Sequence, residues 1–387
     1  MIKVLKKETC SGCHACATTC PQKCISMQQD DEGFWYPIVN ETECISCNLC
    51  EKICPILNKN TEENVSDKAF AMMANDGQIR ENSSSGGIFS LLAKKVIANG
   101  GVVFGAAFSK DLKEVVHTAC KSEQDLLFLR GSKYVQSKIG NTFKEAKTFL
   151  KEGTQVLFTG TPCQIAGLKS YLGKEYENLI TQDIICHGVP SPLVWEKYVK
   201  YREQKVSSKI QKIFFRDKKS GWKTYSMHFE FANGSEYFQD LSRDLFLQGF
   251  LNNLYLRTSC YNCAFKSENR ISDITLADFW GIEKVCPQMD DNKGTSLVLV
   301  NTDKGQALIG EIDKEIKKCV VDKEQALKYN SAATRSVPMN SKREVFMQDL
   351  QSCSIEKVLK KYCKKPKIQR VITLAKRYIK KLLAKRF

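Results

Sequence analysis

Apolar residues follow two alternating patterns through the middle of the chain. Short continuous runs rich in Val, Ile and Phe are typical of buried strands, and segments whose apolar residues recur every three to four positions indicate amphipathic helices. Because strands that alternate with helices build sheets with helical faces, the pattern predicts an α/β core. The predicted strands are 69–74, 102–108, 155–159 and 179–185, and the predicted helices lie near 86–99, 141–151, 163–172 and 192–204.

The following stretch changes to the two-residue alternation of antiparallel strands. Segments 212–216, 224–231 and 236–238 are predicted to form a small antiparallel group. A helix near 242–254, a strand at 296–301 and a helix at 304–318 are predicted after it. The fold class is therefore an α/β core with an antiparallel addition of the α+β kind.

Two cysteine runs near the amino terminus carry the strongest chemical signal. Bacterial runs of this spacing give three thiolates to one 4Fe-4S cluster and the fourth, which precedes a proline, to the other cluster. One cluster is thus predicted on Cys10, Cys13, Cys16 and Cys54, and the second on Cys20, Cys44, Cys47 and Cys50. The pattern predicts a ferredoxin-type domain over residues 1–60 and a protein that transfers electrons.

Zinc and disulfides are the alternatives for these thiols. Zinc modules normally offer two paired cysteines in each half rather than three with a fourth before proline. Disulfides fit poorly, because Met1-Ile-Lys-Val-Leu-Lys-Lys7 leads into the first run without a signal peptide, and we expect a reducing cytoplasmic location. Cys24 belongs to neither run and is interpreted as a small buried side chain rather than a ligand.

Composition and charge describe a body that is nearly balanced and a tail that is strongly basic. The apolar share of 42% is ordinary for a globular protein, and no apolar run reaches the length of a membrane span. The net charge is +16, of which residues 355–387 carry +12, with thirteen Lys or Arg and the single acid Glu356. The excess charge therefore marks the tail rather than the body.

The tail has the pattern of a cationic amphipathic helix. Apolar side chains from Ile368 to Leu383 recur at helical spacing, and basic side chains such as Arg370, Lys376 and Lys380 take the opposite face. Residues 366–387 could lie on an anionic membrane surface, at the inner face of the membrane, or the apolar stripe could pack on a partner or on the protein's own core. Nucleic-acid binding is not expected, because aromatic stacking residues are scarce there.

Four more cysteines stand at places where ligands gather. Cys163 and Cys186 each follow a predicted strand, and Cys260 and Cys263 form a short turn. The carboxyl ends of the strands are where open α/β sheets bind ligands, so these four thiols could converge. Spacing alone leaves two interpretations open, a third cluster or buried structural thiols.

The chain resembles the coenzyme F420 hydrogenase/dehydrogenase beta-subunit family over about residues 1–335, and specifically its bacterial members with an amino-terminal ferredoxin domain. The resemblance rests on segments 160–168, 186–192 and 215–218, and on Cys260-x-x-Cys263 leading to Ala277-Asp-Phe-Trp-Gly281. It implies a core 4Fe-4S cluster on Cys163, Cys186, Cys260 and Cys263, beside a bound FAD. No Gly-x-Gly-x-x-Gly follows the first core strand, so a Rossmann-type nicotinamide domain is not expected.

The resemblance also suggests where the FAD binds. Ser84, Ser85, Gly86 and Gly87 open the helix near 88–99, where free backbone N–H groups can meet a diphosphate and glycine permits close approach, although a serine cap without a ligand gives the same pattern. Lys133, in a segment that the family places near the flavin, could offset negative charge on the reduced ring. His187 could donate a proton, and Asp278 could orient a base; both could equally be structural.

The predicted organisation is a ferredoxin domain at 1–60, a linker at 61–67, a redox core at 68–335 and a basic tail at 336–387. The predicted function is an iron–sulfur flavoprotein oxidoreductase that exchanges electrons with a redox partner such as a ferredoxin or a dehydrogenase subunit. Resemblance to bacterial relatives further suggests a role in cell-surface polysaccharide synthesis. The alternative is a non-catalytic subunit that relays electrons to a partner enzyme.

Overall fold

The computed structural model describes residues 1–4, 6–58 and 64–363. The amino-terminal unit consists of two short helices and one antiparallel hairpin. Its elements are α1 (Ala15–Thr19), β1 (Ile25–Gln29), β2 (Trp35–Val39) and α2 (Leu49–Lys52). In this unit the register pairs Ile25 with Val39.

The larger unit has strands and helices in alternation over its first half. The first group is β3 (Ala69–Ala74), α3 (Gly77–Glu81), α4 (Ile88–Ala98), β4 (Val102–Phe108), β5 (Val115–Cys120), α5 (Leu126–Leu129), β6 (Ser137–Lys138), α6 (Thr142–Lys151), β7 (Val156–Thr159), α7 (Pro162–Leu172), β8 (Leu179–Ile184) and α8 (Pro192–Val206). The second group is β9 (Ile210–Asp217), β10 (Ser226–Phe231), β11 (Glu236–Asp240), α9 (Leu245–Leu251), β12 (Ile274–Asp278), α10 (Ile282–Val285), β13 (Ser296–Val300), α11 (Asp303–Glu311), β14 (Ile316–Val321), α12 (Lys323–Lys328), α13 (Arg343–Ser352) and α14 (Ile355–Cys363).

A nine-stranded mixed sheet forms the centre of the larger unit. Its strand order is β14-β3-β13-β12-β8-β7-β4-β5-β6. Strands β12, β8, β7 and β4 are mutually parallel, and β3 runs in the same direction because β13 is antiparallel to both β12 and β3. The carboxyl ends of these five strands therefore meet at one edge of the sheet, called the ligand edge below.

Helices cover both faces of this sheet because successive side chains of its central strands point to opposite sides. Val103 packs with Leu91 and Leu92 of α4 on one face. Phe104 packs with Phe143 of α6 and Ile165 of α7 on the other face. The layers therefore follow the α/β arrangement that the sequence predicts.

The strands β9, β10 and β11 form a separate three-stranded antiparallel sheet. Its apolar face packs on α8 and α9 around the buried Trp195, together with α13 and α14 through Phe346 and Leu359. The packed core thus extends past residue 335 to Cys363, into the segment that the sequence assigns to the tail. The predicted amphipathic helix at 366–387 lies outside the described residues.

Most predicted elements are present within a few residues of their expected ends, and one is wrong in its second half. The helix predicted at 304–318 ends at Glu311, and Ile316–Val321 forms the edge strand β14 against β3. Strands β1, β2, β5, β6 and β12 are additional to the prediction. Within the described residues, the helices are too short or too polar to span a bilayer.

Candidate functional site

The first thiol set consists of Cys10, Cys13 and Cys16 from the first cysteine run and of Cys54 from the end of the second run. Burial raises the pKa of the Cys13 thiol to about 12, and the neighbouring charges of Cys10 and Cys54 act in the same direction. Burial likewise raises the pKa of Cys16, again with Cys13, Cys10 and Cys54 as the interacting thiols. The structure thus brings Cys54 to the first run, in the exchange that the spacing predicts.

The second thiol set lines one cavity together with Cys24. Cys20, Cys44, Cys47 and Cys50 all contribute to its wall. The backbone N–H of Ile2 donates to the Cys50 Sγ at 3.4 Å. Backbone donors aimed at sulfur are typical of the surroundings of iron–sulfur clusters.

Cys24 lies closer to this second set than its sequence position indicates. Its side chain is buried, as predicted, but its Sγ is 3.4 Å from the Cys20 Sγ. The hydrogen bond with Cys20 is the main cause that raises the pKa of Cys24 to about 11. Cys24 is therefore a fifth thiol at the rim of a four-thiol set.

The two runs adopt the same unusual backbone. The second and fourth residues after the first cysteine have positive φ in both runs: Gly12 (66°) and His14 (68°), and Ser46 (50°) and Asn48 (57°). Successive turns of this kind direct backbone N–H groups into a concavity that suits an anion. The shared conformation indicates that both loops wrap the same kind of group.

The third thiol set lies at the ligand edge. Cys163 begins α7 directly after β7, Cys186 follows β8, and Cys260 and Cys263 lie on the turn over 258–263. Burial raises the pKa of Cys163 well above its usual value, with Cys263, Cys186 and Cys260 as the charges that add to the effect. The four thiols, which are far apart in sequence, therefore lie near enough to one another for their charges to interact.

Polar groups surround this third set. Thr161 Oγ1 lies 3.1 Å from the Cys163 Sγ, and the Val189 N–H donates to the Cys260 Sγ at 3.5 Å. The Lys266 ammonium donates to the backbone carbonyls of Cys186 and Ala332. These donors and this cation favour negatively charged sulfur at the site.

The serine–glycine turn before α4 also lies at the ligand edge. Packing within the protein is enough to require its first glycine. A Cβ on Gly86 would stand 2.4 Å from the Met72 carbonyl oxygen and 2.8 Å from the Ser296 nitrogen. Close packing of the turn on β3 and β13 therefore requires this glycine whether or not a ligand approaches it. Gly87 has a φ of 89° and caps the start of α4.

The turn is joined to two other segments that the family resemblance singles out. Ser84 Oγ accepts hydrogen bonds from the Ser132 N–H at 2.7 Å and from its hydroxyl at 3.0 Å. Ser85 Oγ donates to the Thr295 carbonyl at 2.9 Å, and its own carbonyl accepts from the Lys218 ammonium at 3.4 Å. Segments 83–87, 131–133 and 215–218 thus come together.

Lys133 is a half-buried side chain that closes the end of α5. Its Nζ donates to the carbonyl oxygens of Leu129, Arg130 and Gly131 at 2.9–3.1 Å. Burial lowers its pKa to about 7.

His187 and Asp278 each have a defined partner. The His187 Nε2 donates to the Asn253 Oδ1 at 2.7 Å, and burial lowers the pKa of this imidazole. Asp278 accepts hydrogen bonds from the guanidinium of Arg216 and from the Trp222 indole N–H, the latter at 3.3 Å. Both side chains lie at the ligand edge, His187 next to Cys186 and Asp278 at the end of β12.

Comparison with known families finds two matches along the chain. The model for the carboxyl-terminal part of the coenzyme F420 hydrogenase/dehydrogenase beta subunit matches residues 153–326. The model described as "4Fe-4S dicluster domain" matches residues 9–57. Residues 153–326 are therefore similar to this beta-subunit family. The expected family, with a ferredoxin-type domain ahead of the redox core, is confirmed.

One solved structure and the curated proteins complete the comparison. A chain of the F420-reducing [NiFe] hydrogenase complex from Methanosarcina barkeri is 15% identical, with a TM-score of 0.46, over 71% of this chain and 92% of that chain. A search of curated proteins finds no match.

The two amino-terminal thiol sets fit the two clusters of a 4Fe-4S dicluster domain. Each offers four thiols, and the two loops share positive-φ residues at the same two positions. The match to the dicluster domain and the two thiol sets together identify an iron–sulfur electron-transfer protein that is related to these beta subunits.

Two buried cations of the family core are not apparent from sequence reasoning. Arg216 and Lys218 lie in segment 215–218, which served only as a mark of resemblance, although both are nearly inaccessible to solvent. Burial lowers the pKa of Lys218 to about 8, and its Nζ donates to the Lys293 carbonyl at 3.0 Å. The sequence signal for these two cations is that they follow an apolar segment. Buried charges are rare without a partner, so charges at such a place indicate a specific role.

Proposed function

We propose that this protein is an iron–sulfur flavoprotein oxidoreductase in which electrons pass between the two amino-terminal clusters, a third 4Fe-4S cluster on Cys163, Cys186, Cys260 and Cys263, and an FAD at the ligand edge. The convergence of the four core thiols is the observation that carries the proposal. Four thiolates with the charges of Lys266 and Arg270 nearby suit an anionic cluster.

The docking of the amino-terminal domain supports a direct path between clusters. A Cβ on Gly167 of α7 would stand 2.9 Å from the Cys13 Cβ and 3.1 Å from its Sγ. Gly167 lies four residues after Cys163 on the same helix, which is about 6 Å of helical rise. One ligand of the first cluster therefore lies one helical turn away from a ligand of the proposed third cluster.

The surroundings of the Ser84 turn support the FAD. An array of rings leads from the third thiol set toward it: His187 meets Phe250 with centroids 5.1 Å apart, and Phe250 stacks on Tyr134 at 4.6 Å. The Tyr134 hydroxyl accepts from Arg216 at 3.3 Å. A group of aromatic rings with a cation at its margin suits an isoalloxazine ring and its diphosphate.

When bound, clusters carry single electrons and a flavin converts them into two-electron chemistry with a substrate. The residues of this chain provide the charged side chains at the ligand edge and the group that supplies a proton there. Lys133, whose pKa burial lowers to about 7, changes protonation near neutral pH and is the proposed proton source. Asp278 positions Arg216, and His187 is held beside Cys186 by its hydrogen bond to Asn253.

The proposed electron donor or acceptor is a redox protein, such as a ferredoxin or a dehydrogenase subunit. The family model that matches residues 153–326 describes one subunit of a hydrogenase or dehydrogenase. This supports the proposal that the protein functions in a complex with other redox subunits. A cytoplasmic place at the inner membrane face, through residues 366–387, and a role in cell-surface polysaccharide synthesis remain proposals from sequence. The use of the deazaflavin coenzyme itself is not part of the proposal.

The flavin content of the full chain tests this proposal against the non-catalytic relay. Protein purified without oxygen is expected to contain about one FAD per chain, and addition of reduced ferredoxin should bleach the flavin absorption. Heat-denatured supernatant gives the FAD count independently of the iron chromophore. Protein that holds iron and sulfide but no FAD, even after incubation with excess FAD, would contradict the enzyme and favour the relay.

A further inference from the structure

Arg257 is a fully buried side chain at the junction of the two domains. It precedes Cys260 by three residues, and its backbone carbonyl accepts from the Cys260 N–H at 2.9 Å. Its guanidinium donates from Nε to the Cys10 carbonyl at 2.9 Å, from Nη2 to the Trp35 carbonyl at 3.0 Å and from Nη1 to the Gln136 Oε1 at 3.1 Å. One residue thus joins the backbones of a first-cluster cysteine and a core cysteine.

The first cysteine loop is shaped around this guanidinium. A Cβ on Gly12 would stand 2.9 Å from the Arg257 Nη1 and 2.9 Å from the Gln136 Nε2. Gln136 also donates to the Ser11 carbonyl at 3.3 Å. The loop from Cys10 to Cys13 therefore packs closely on Arg257, and the guanidinium is held against the backbone of the first cysteine run.

Among the residues that the structure describes, Arg257 is the buried arginine without an acidic partner. Four further arginines are buried within the described residues, and each pairs with a carboxylate: Arg80 with Asp291, Arg216 with Asp278, Arg270 with Asp183 and Arg343 with Glu32. Arg257 has no ion pair with any carboxylate of the described residues, and its acceptors are two carbonyls and an amide. The rings of Tyr36 and Phe34, 4.2 and 5.5 Å from its Cζ, offset only part of the charge.

A buried charge without a counter-charge is costly, so a missing anion is indicated. A 4Fe-4S cluster on four thiolates is an anion, and it gains one more negative charge on reduction. We propose that Arg257 is the counter-charge of the cluster on Cys10, Cys13, Cys16 and Cys54 and that it raises the reduction potential of this cluster. The inference rests on the iron–sulfur part of the proposed function, and Arg257 is in addition a positioning residue for the Cys260 turn.

Redox titration of the full-length protein, followed by electron paramagnetic resonance, tests this role. In Arg257→Met, one cluster midpoint is expected to move to a more negative potential, with a roughly tenfold or larger fall in the equilibrium constant for its reduction. Arg257→Lys keeps the charge and is expected to keep a midpoint near the original. Arg343→Met is the matched control, because Arg343 is also buried between the domains but pairs with Glu32.

Unchanged midpoints in an Arg257→Met protein with full iron content would overturn the inference, as would an equal shift in Arg257→Lys or in Arg343→Met. If Arg257→Met fails to retain iron, Arg257→Lys decides alone: an unshifted midpoint supports the charge, and a midpoint shifted to more negative potential overturns it. Absence of FAD would contradict the proposed enzyme but would leave this test intact.

Discussion

Replacement of Cys163 by alanine is expected to lower the iron content of the anaerobically purified protein from about twelve to about eight atoms per chain. In the proposed function the four core thiols hold the third cluster, so removal of one would leave that cluster with three protein ligands. The two amino-terminal clusters should persist, because their ligands come only from the first domain. Iron and acid-labile sulfide analysis gives the count.

The control for this variant is Cys120→Ala. Cys120 is also a buried thiol, but its Sγ donates to the Ser122 carbonyl at 3.2 Å and takes no part in the third thiol set. It should retain the iron of the unaltered protein. Equal iron contents in Cys163→Ala and the unaltered protein would contradict a third cluster on these thiols.

Substitution of Gly167 by alanine is expected to destabilise the contact between the two domains. The new Cβ would lie 2.9 Å from the Cys13 Cβ and 3.1 Å from its Sγ, so either α7 or the first cysteine loop must move. Overpacking of this kind costs about 1–3 kcal/mol of unfolding free energy. Urea denaturation under anaerobic conditions measures the unfolding free energy, with the loss of cluster absorption as the signal. Flavin bleaching by reduced ferredoxin should also be slower in this variant.

Gly310→Ala is the matched helical control. A Cβ on Gly310 of α11 meets no heavy atom within 4 Å, so this change should stabilise the protein by roughly 0.5–1 kcal/mol. If Gly167→Ala leaves both the unfolding free energy and the bleaching rate unchanged, α7 is not the link between the clusters.

The parts of the fold that sequence predicts are those that local pattern determines. Strands β3 and β4 start and end at the predicted residues because their apolar runs are continuous, and α7 begins at Pro162 with the capping box of Thr161 and Gln164. Strand β14 has a pattern that favours helix, because Lys317 and Lys318 interrupt its apolar residues. It forms a strand because it pairs with β3, which lies more than two hundred residues away in the sequence.

The candidate site likewise has parts that the sequence predicts and parts that it does not. The exchange of Cys20 and Cys54 between thiol sets follows from a spacing rule, and the meeting of Cys163 with Cys186 follows from the shared direction of β7 and β8. The roles of Gly167 and Arg257 could not be predicted, because they arise from contacts with the first cysteine run, which is far away in sequence. A glycine in a helix and an arginine near a cysteine turn carry no such information by themselves.

Metal and sulfide analysis of the unaltered full-length chain, purified without oxygen, tests the central claim that its cysteines hold iron–sulfur clusters. We expect about twelve irons with an equal amount of acid-labile sulfide, broad absorption near the blue, and a paramagnetic signal after addition of dithionite. Colourless protein that contains zinc, releases no sulfide and gives no such signal would contradict the claim.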